Sequence, residues 1–476
     1  MADSLKAKTV HGVLWSALER FSLQGIQFVI NIIMARLLAP SDYGLIAMLA
    51  IFLQISQAFI DSGFTNALIQ RKDRSETDFS TVFYFNVVIA FVFYLILFIS
   101  APWIADFYRM PALVPITRVI ALNLIISALS AVHKTKLTIN IDFKTQSKAS
   151  LSAAAISGII GIWGAYSGWG VWALIAQTLL NSLLLTLLLY YFLHWKPLWI
   201  FSMDSFKRLF SFGSRLLVSG LIHTLYYNLY TLVIGRKFSA ISLGYYTRAE
   251  QFVIFPSANV NAIISRVTFP VLSSIQDDTE RLAEAYRKYI RLSSFIIFPL
   301  MMGLAALAKP VVALLLTEKW LGVVALLQIL CFDWMFDHLS IINLNLLYVK
   351  GRSDLALRLE IVKKVIATTI LFSSIPFGLI GMCWGRVLYS LIAVYLNTYY
   401  TKSLIGLSLR NQIRDIIPYW LLALGMGGVV MWISSFVDLL WLQLFAGVAI
   451  GSVCYLGCAY LLKLSIYKEL LALIKR

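Results

Sequence analysis

Lys8 to Gly44 reads KTVHGVLWSALERFSLQGIQFVINIIMARLLAPSDYG, a passage long enough to cross a bilayer that carries Glu19 and Arg20 a third of the way in. A charge in hydrocarbon costs about 3 kcal/mol on insertion scales, so such groups usually face a bundle interior or a wet cavity. The passage reads as a cavity-lining helix ending in Arg36 and a turn at Pro40. The same layout returns two hundred residues on: Phe212–Tyr245, FGSRLLVSGLIHTLYYNLYTLVIGRKFSAISLGY, has Arg236 and Gly244 where the first copy has Arg36 and Gly44. That echo predicts two copies of one unit.

Composition fixes the class. Of 476 residues, 60% are hydrophobic and 13% charged, with a mean hydropathy of +0.81, more apolar matter than a soluble core buries. The expected fold is an all-α polytopic membrane protein with fourteen transmembrane helices, near 11–36, 43–66, 79–101, 112–133, 148–166, 170–193, 213–236, 245–268, 288–308, 323–349, 359–377, 379–401, 415–436 and 439–462. The first apolar stretch is long, is charged and lacks a small-x-small end, so it is expected to stay rather than be cleaved as a signal. Cys331, Cys383, Cys454 and Cys458 all fall inside expected spans, which argues against a disulfide framework or a metal site.

A net charge of +17 suggests nucleic acid until the basic residues are placed. Of 40 Lys and Arg, eight (Arg36, Arg109, Arg118, Arg236, Lys237, Arg248, Lys309, Lys319) fall on one side, four (Arg20, Arg215, Arg266, Arg386) lie within or at the ends of spans, and 28 share the other side with both termini. The positive-inside bias makes that side cytoplasmic, so the clusters mostly report topology, with attraction to anionic lipid a secondary reading, and the distribution argues against nucleic acid.

The repeat continues: Ala101-Pro102 matches Lys309-Pro310, Leu129-Ser130 matches Leu339-Ser340, and Gly168 matches Gly378. It divides the chain into a six-helix lobe over 1–193, a cytoplasmic amphipathic linker over 194–212, a second six-helix lobe over 213–401, and an extra helix pair with a tail over 402–476. The linker, HWKPLWIFSMDSFKRLFSF, mixes Trp195, Trp199 and Phe206 with Lys207 and Arg208 and reads as an interfacial helix.

Four segments carry a likeness: ARLLAPSDYGLIAM (Ala35–Met48), FIDSGFTNALIQRKD (Phe59–Asp73), FPVLSSIQDDTERL (Phe269–Leu282), and EKW followed by ALLQIL (Glu318–Leu330). In that order, across nearly the whole chain, they resemble the Wzx-type polysaccharide exporters of the MOP flippase superfamily, the group that includes the colanic acid exporter. The resemblance implies two lobes in a V around a central cavity. It also implies alternating access that carries an undecaprenyl-diphosphate-linked oligosaccharide to the outer leaflet of a bacterial inner membrane. It implies no enzyme activity and no cofactor beyond H⁺ or Na⁺ as a coupling ion. A glycan polymerase and a chain-length regulator are the expected protein partners.

Such cargo needs its anionic, hydrated head shielded while the tail stays in lipid. Arg20, Gln24, Gln27 and Asn31 fall on one helical face. The guanidinium suits phosphate oxygens and the amides suit sugar hydroxyls, with a local ion pair and interhelical hydrogen bonds as the plainer reading. Glu19 is either a proton or cation site or the charge balance of Arg20. Arg215 and His223 lie on a second such face, and Arg386 is either a cavity cation or a partner for the acids of the tenth helix. Those acids, Asp333 and Asp337 one turn apart, are the ion-coupling candidates, with a structural ion-pair network as the equal alternative. Three other classes compete. A drug–cation antiporter of the same superfamily would favour acidic over cationic cavity residues, a glycan polymerase or ligase commonly needs a large outer loop, and a non-transporting scaffold for glycan assembly would leave the buried charges without a purpose.

Overall fold

The computed structural model describes residues 2–61, 63–464 and 466–467 and, within them, all side chains but those at 2–14, 16–18, 212, 215, 216, 219, 263 and 267. It is built of helices: α1 (Ala2–Leu37), α2 (Pro40–Asp61), α3 (Phe64–Gln70), α4 (Glu76–Tyr108), α5 (Leu113–Ile120), α6 (Leu122–Ile139), α7 (Phe143–Tyr166), α8 (Val171–Leu193), α9 (Met203–Tyr227) and α10 (Leu229–Lys237). These are followed by α11 (Ala240–Ser274), α12 (Thr279–Ala306), α13 (Ala308–Leu316), α14 (Gly322–Trp334), α15 (Asp337–Val349), α16 (Ser353–Ser374), α17 (Gly378–Thr398), α18 (Thr401–Ile405), α19 (Leu409–Ser434) and α20 (Leu440–Leu461).

Among the described residues, eleven helical stretches are long and apolar enough to cross a membrane. Of the fourteen expected, those over 11–36 and 213–236 are not among them, and those over 359–377 and 379–401 fall in one run, Ser353–Ile405. That run is broken by a 3₁₀ turn at Ile375–Phe377 and by Gly378 at φ 75°. Exposed Trp441, Phe445, Val448 and Val453 on α20 are the side chains a lipid-facing helix would carry.

The helix ends follow local chemistry. Pro40 opens α2, where its missing N–H costs nothing, and the Asp42 carboxylate accepts from the Ala39 N–H at 3.0 Å. Ser75 and Asp78 cap α4 reciprocally, at 3.3 and 2.8 Å. Ser202, Asp278 and Ser408 cap α9, α12 and α19. Gly168 and Gly378, which the sequence echo aligns, both take positive φ, 82° and 75°.

The chain forms two compact units, Met1–Gly244 and Tyr245–Arg476. In the first, α7 packs on α1 and α8, α6 on α4 and α8, and α9 on α2, α3 and α4. One core cluster joins Phe64, Leu68, Phe79, Val82, Phe83, Val132 and Leu209. The unit boundary thus lies later than the 212/213 lobe boundary read from the repeat, because α9 and α10 stay against α2 and α4. Also within this unit, Gly44 lies on the backbone of Ala240 and Gly244 on the carbonyl of Pro40, with no room for a methyl at either glycine. In the second unit α12 packs on α14 and α19, α17 on α14 and α16, and α20 on α19.

The linker differs from expectation. Residues 194–202 are an extended strap, and only from Met203 is the chain helical. Pro197 lacks an N–H, and the strap's backbone donors are taken by α4: Leu198 N–H donates to Ser80 Oγ at 2.9 Å and Ser202 N–H to Thr81 Oγ1 at 3.1 Å. Trp195 Nε1 donates to Glu76 at 2.7 Å, and Lys136 bonds the same carboxylate at 2.7 Å while lying 4.6 Å over the Trp195 ring.

Candidate functional site

The second unit holds the densest set of buried charge. On α11, Tyr246, Glu250, Ser257 and Asn261 recur at i, i+4, i+11 and i+15, one face of a long helix. Arg386, from α17, meets that face. Its Nε donates to Asp333 Oδ2 at 2.8 Å, and its Nη1 bonds both Glu250 Oε1 and the Tyr246 hydroxyl. Tyr246 in turn donates to Glu250 at 3.4 Å. A guanidinium between two carboxylates answers the desolvation of all three far better than any one alone would.

Asp333 and Asp337 do not share one straight helix. The chain breaks at Met335 and Phe336, so Asp333 ends up on Arg386 while Asp337 accepts from Asn261 Nδ2 at 3.0 Å. Asn261 also donates to Ser257 at 3.3 Å. Lys363 of α16 adds a positive charge that is ion-paired with Glu360. Glu250, Asp333 and Asp337 therefore outnumber Arg386, an imbalance that a proton or a small cation would correct. His338 stands apart, buried and bonded to Ser294 at 2.9 Å.

A second buried network ties the same unit. Tyr286 bonds Asn343, and Gln412 Nε2 reaches Asn343 Oδ1 at 3.3 Å and Thr401 Oγ1 at 3.1 Å. Nearby, Asp415 accepts from Arg287 at 2.7 and 2.8 Å and from Arg291 Nε at 3.0 Å.

In the first unit, Arg20, Gln24, Gln27 and Asn31 lie along α1 with none of them buried, and none has a partner among the described residues. Glu19, one position back, is 8% exposed and accepts from Gln146 Nε2 of α7 at 3.5 Å, so it faces the helix packing rather than Arg20's side. His223 is exposed and stacks on Tyr227, ring centroids 6.1 Å apart. The Arg215 side chain lies outside the described residues. Arg386 is not a free cavity cation: its donors are committed to Glu250, Asp333 and Tyr246. Sequence reasoning missed Glu250, Tyr246 and Asn261. Their recurrence along α11 was the available signal.

A family model described as polysaccharide biosynthesis protein matches residues 33–325. Teichuronic acid biosynthesis protein TuaB of Bacillus subtilis is 27% identical over 462 residues, 95% of each chain. Lipopolysaccharide biosynthesis protein WzxC of Escherichia coli is 27% identical over 423 residues, 88% of this chain and 86% of that one. Among solved structures, the lipid II flippase MurJ in an inward closed conformation superposes with a TM-score of 0.76 at 17% identity, over 96% of this chain and 100% of that chain. At that identity the likeness establishes the fold.

Proposed function

The chain belongs to the polysaccharide biosynthesis protein family, and from that membership we propose that it is a flippase moving a polyprenyl-diphosphate-linked oligosaccharide from the inner to the outer leaflet by alternating access. It is a multi-pass membrane transporter rather than an enzyme. The single observation carrying the reading is the family match, which runs from α1 into α14 and so covers parts of both units. In this reading fourteen helices cross a bacterial inner membrane with both termini in the cytoplasm, and a glycan polymerase and a chain-length regulator work beside it. Arg20 holds the diphosphate, Gln24, Gln27 and Asn31 bond sugar hydroxyls, and Arg215 and His223 complete the polar lining.

Coupling is assigned to the second unit. Glu250, Asp333 and Asp337 carry more negative charge than Arg386 neutralises, so H⁺ or Na⁺ entry is favourable there. This moves Arg386 from the substrate to the ion. The same excess of acid would serve a drug–cation antiporter, and one experiment separates the two. In proteoliposomes loaded with the lipid-linked oligosaccharide extracted from cells lacking this chain, the wild-type protein is expected to expose the glycan on the opposite face under a proton or sodium gradient. Glu250→Gln with Asp333→Asn should remove the dependence on the gradient. Efflux of ethidium with no movement of the glycan would overturn the flippase reading in favour of the antiporter.

A further inference from the structure

The first unit holds a cleft of about 490 Å³, partly open to its surroundings, whose lining shares no residue with the coupling cluster. Its walls come from four helices. Gln57 and Asp61 are one turn apart on α2; Thr65 and Asn66 open α3; Ser127, Lys134, Thr135 and Thr138 run down one face of α6; Leu217 and Gly220 close it from α9. Ala58, Gly63, Ala131 and Gly220 supply the space by what they lack. The size falls within the range of about 300–1,000 Å³ usual for small-molecule sites.

The lining is only partly satisfied from within. Gln57 Nε2 donates to Asp61 at 3.2 Å, and Ser127 Oγ donates to Gln57 Oε1 at 3.2 Å. Thr135 bonds the Ala131 carbonyl at 2.9 Å, and Thr138 the Lys134 carbonyl at 3.0 Å. The Asn66 amide and the Lys134 ammonium line the cavity without a hydrogen bond among the described residues, and Lys134 has no carboxylate within 4.0 Å. Lys134, half-buried near the end of α6, and exposed Asn66 thus keep their donors open to an occupant of the cleft.

The chemistry of the set selects the occupant. One carboxylate and one ammonium cancel, so the cavity does not concentrate a diphosphate, which Asp61 repels, or a drug cation, which Lys134 repels. What remains is an array of donors and acceptors matched to groups that do both, and a sugar hydroxyl is such a group. The cavity lies at the C-terminal ends of α2 and α6, with Lys136 on α6 and Arg71, Lys72 and Arg74 in the segment that follows α3, the side on which the cargo is loaded in the flippase reading. We propose that this cavity is a sugar-recognition subsite holding neutral, hydroxyl-rich residues of the lipid-linked glycan, separate from the cation that holds the diphosphate. The inference rests on the flippase reading and adds to it where glycan specificity resides.

The test compares two lipids binding to the purified full chain in nanodiscs: undecaprenyl diphosphate without sugar, and the lipid-linked oligosaccharide extracted from cells lacking this chain. Wild type is expected to bind the glycan-bearing lipid at least about tenfold more tightly. Lys134→Gln and Asn66→Leu should each remove most of that advantage and leave undecaprenyl diphosphate binding as it was, with Asn66→Gln restoring part of it. A gel-filtration profile like that of wild type excludes misfolding. Equal binding of both lipids by wild type, or equal loss of both in the variants, overturns the subsite and leaves the flippase standing. Binding of neither lipid by wild type overturns the flippase reading, and the subsite with it.

Discussion

Ile141 takes φ 57° at the end of α6, a conformation that a β-branched residue reaches only under strain. Its N–H still bonds the Thr138 carbonyl at 3.1 Å, so the turn is well formed and the strain is local to the side chain. The equivalent position after α15 is Gly351 at φ 67°, where no penalty arises. Ile141→Gly should therefore stabilise the purified protein by about 1 kcal/mol, read as a rise in the melting midpoint in detergent; a fall would mean that the Ile141 side chain contributes more than the strain takes away. Other residues were legible by degrees. Asp333 with Arg386 follows from two charges that must find partners in hydrocarbon, and the structure joins them at 2.8 Å. Glu250 was not legible as their third member, since which acid crosses from another helix is decided by tertiary packing rather than by spacing along one segment. Lys134 was hidden for another reason: among so many lysines assigned to one side it counted only towards orientation.

The helices themselves were readable, because a bilayer demands about 20 apolar residues per crossing and leaves little choice of conformation. What the windows could not register were the interruptions. The break at Met335 and Phe336 carries no proline or glycine, and the strap over 194–202 combines the composition of an interfacial helix with backbone donors that α4 captures. The extra pair of helices is fastened where α19 meets α12. Asp415, 4% exposed at its side chain, receives Arg287 and Arg291 from successive turns of α12. Asp415→Ala leaves two partly exposed guanidinia with their acceptor gone. The expected loss is about 2 kcal/mol, below the 3–5 of a fully buried pair because both arginines are about a third exposed. Thermal unfolding of the purified variant checks it, and an unchanged midpoint would show that apolar packing alone holds α19.

At the scale of the molecule, the sequence reading that puts 28 basic residues on one side against eight on the other predicts which side is cytoplasmic. Trp199, 94% exposed on the strap, and Tyr166, 81% exposed at the end of α7, should lie on opposite faces of the membrane. Trp199→Cys is expected to react with an impermeant maleimide in inverted vesicles and Tyr166→Cys in intact cells, and the reverse pattern would invert the orientation. The twofold sequence echo suggests two lobes, and the compact units divide later, after Gly244, because α9 and α10 pack back on α2 and α4, which no periodicity encodes. Where Pro40–Gly44 crosses Ala240–Gly244, two segments that the sequence echo aligns rest main chain on main chain. A methyl at either glycine would meet a carbonyl oxygen of the other segment, so the two stretches are bound to a shared spelling in which neither glycine has room to change.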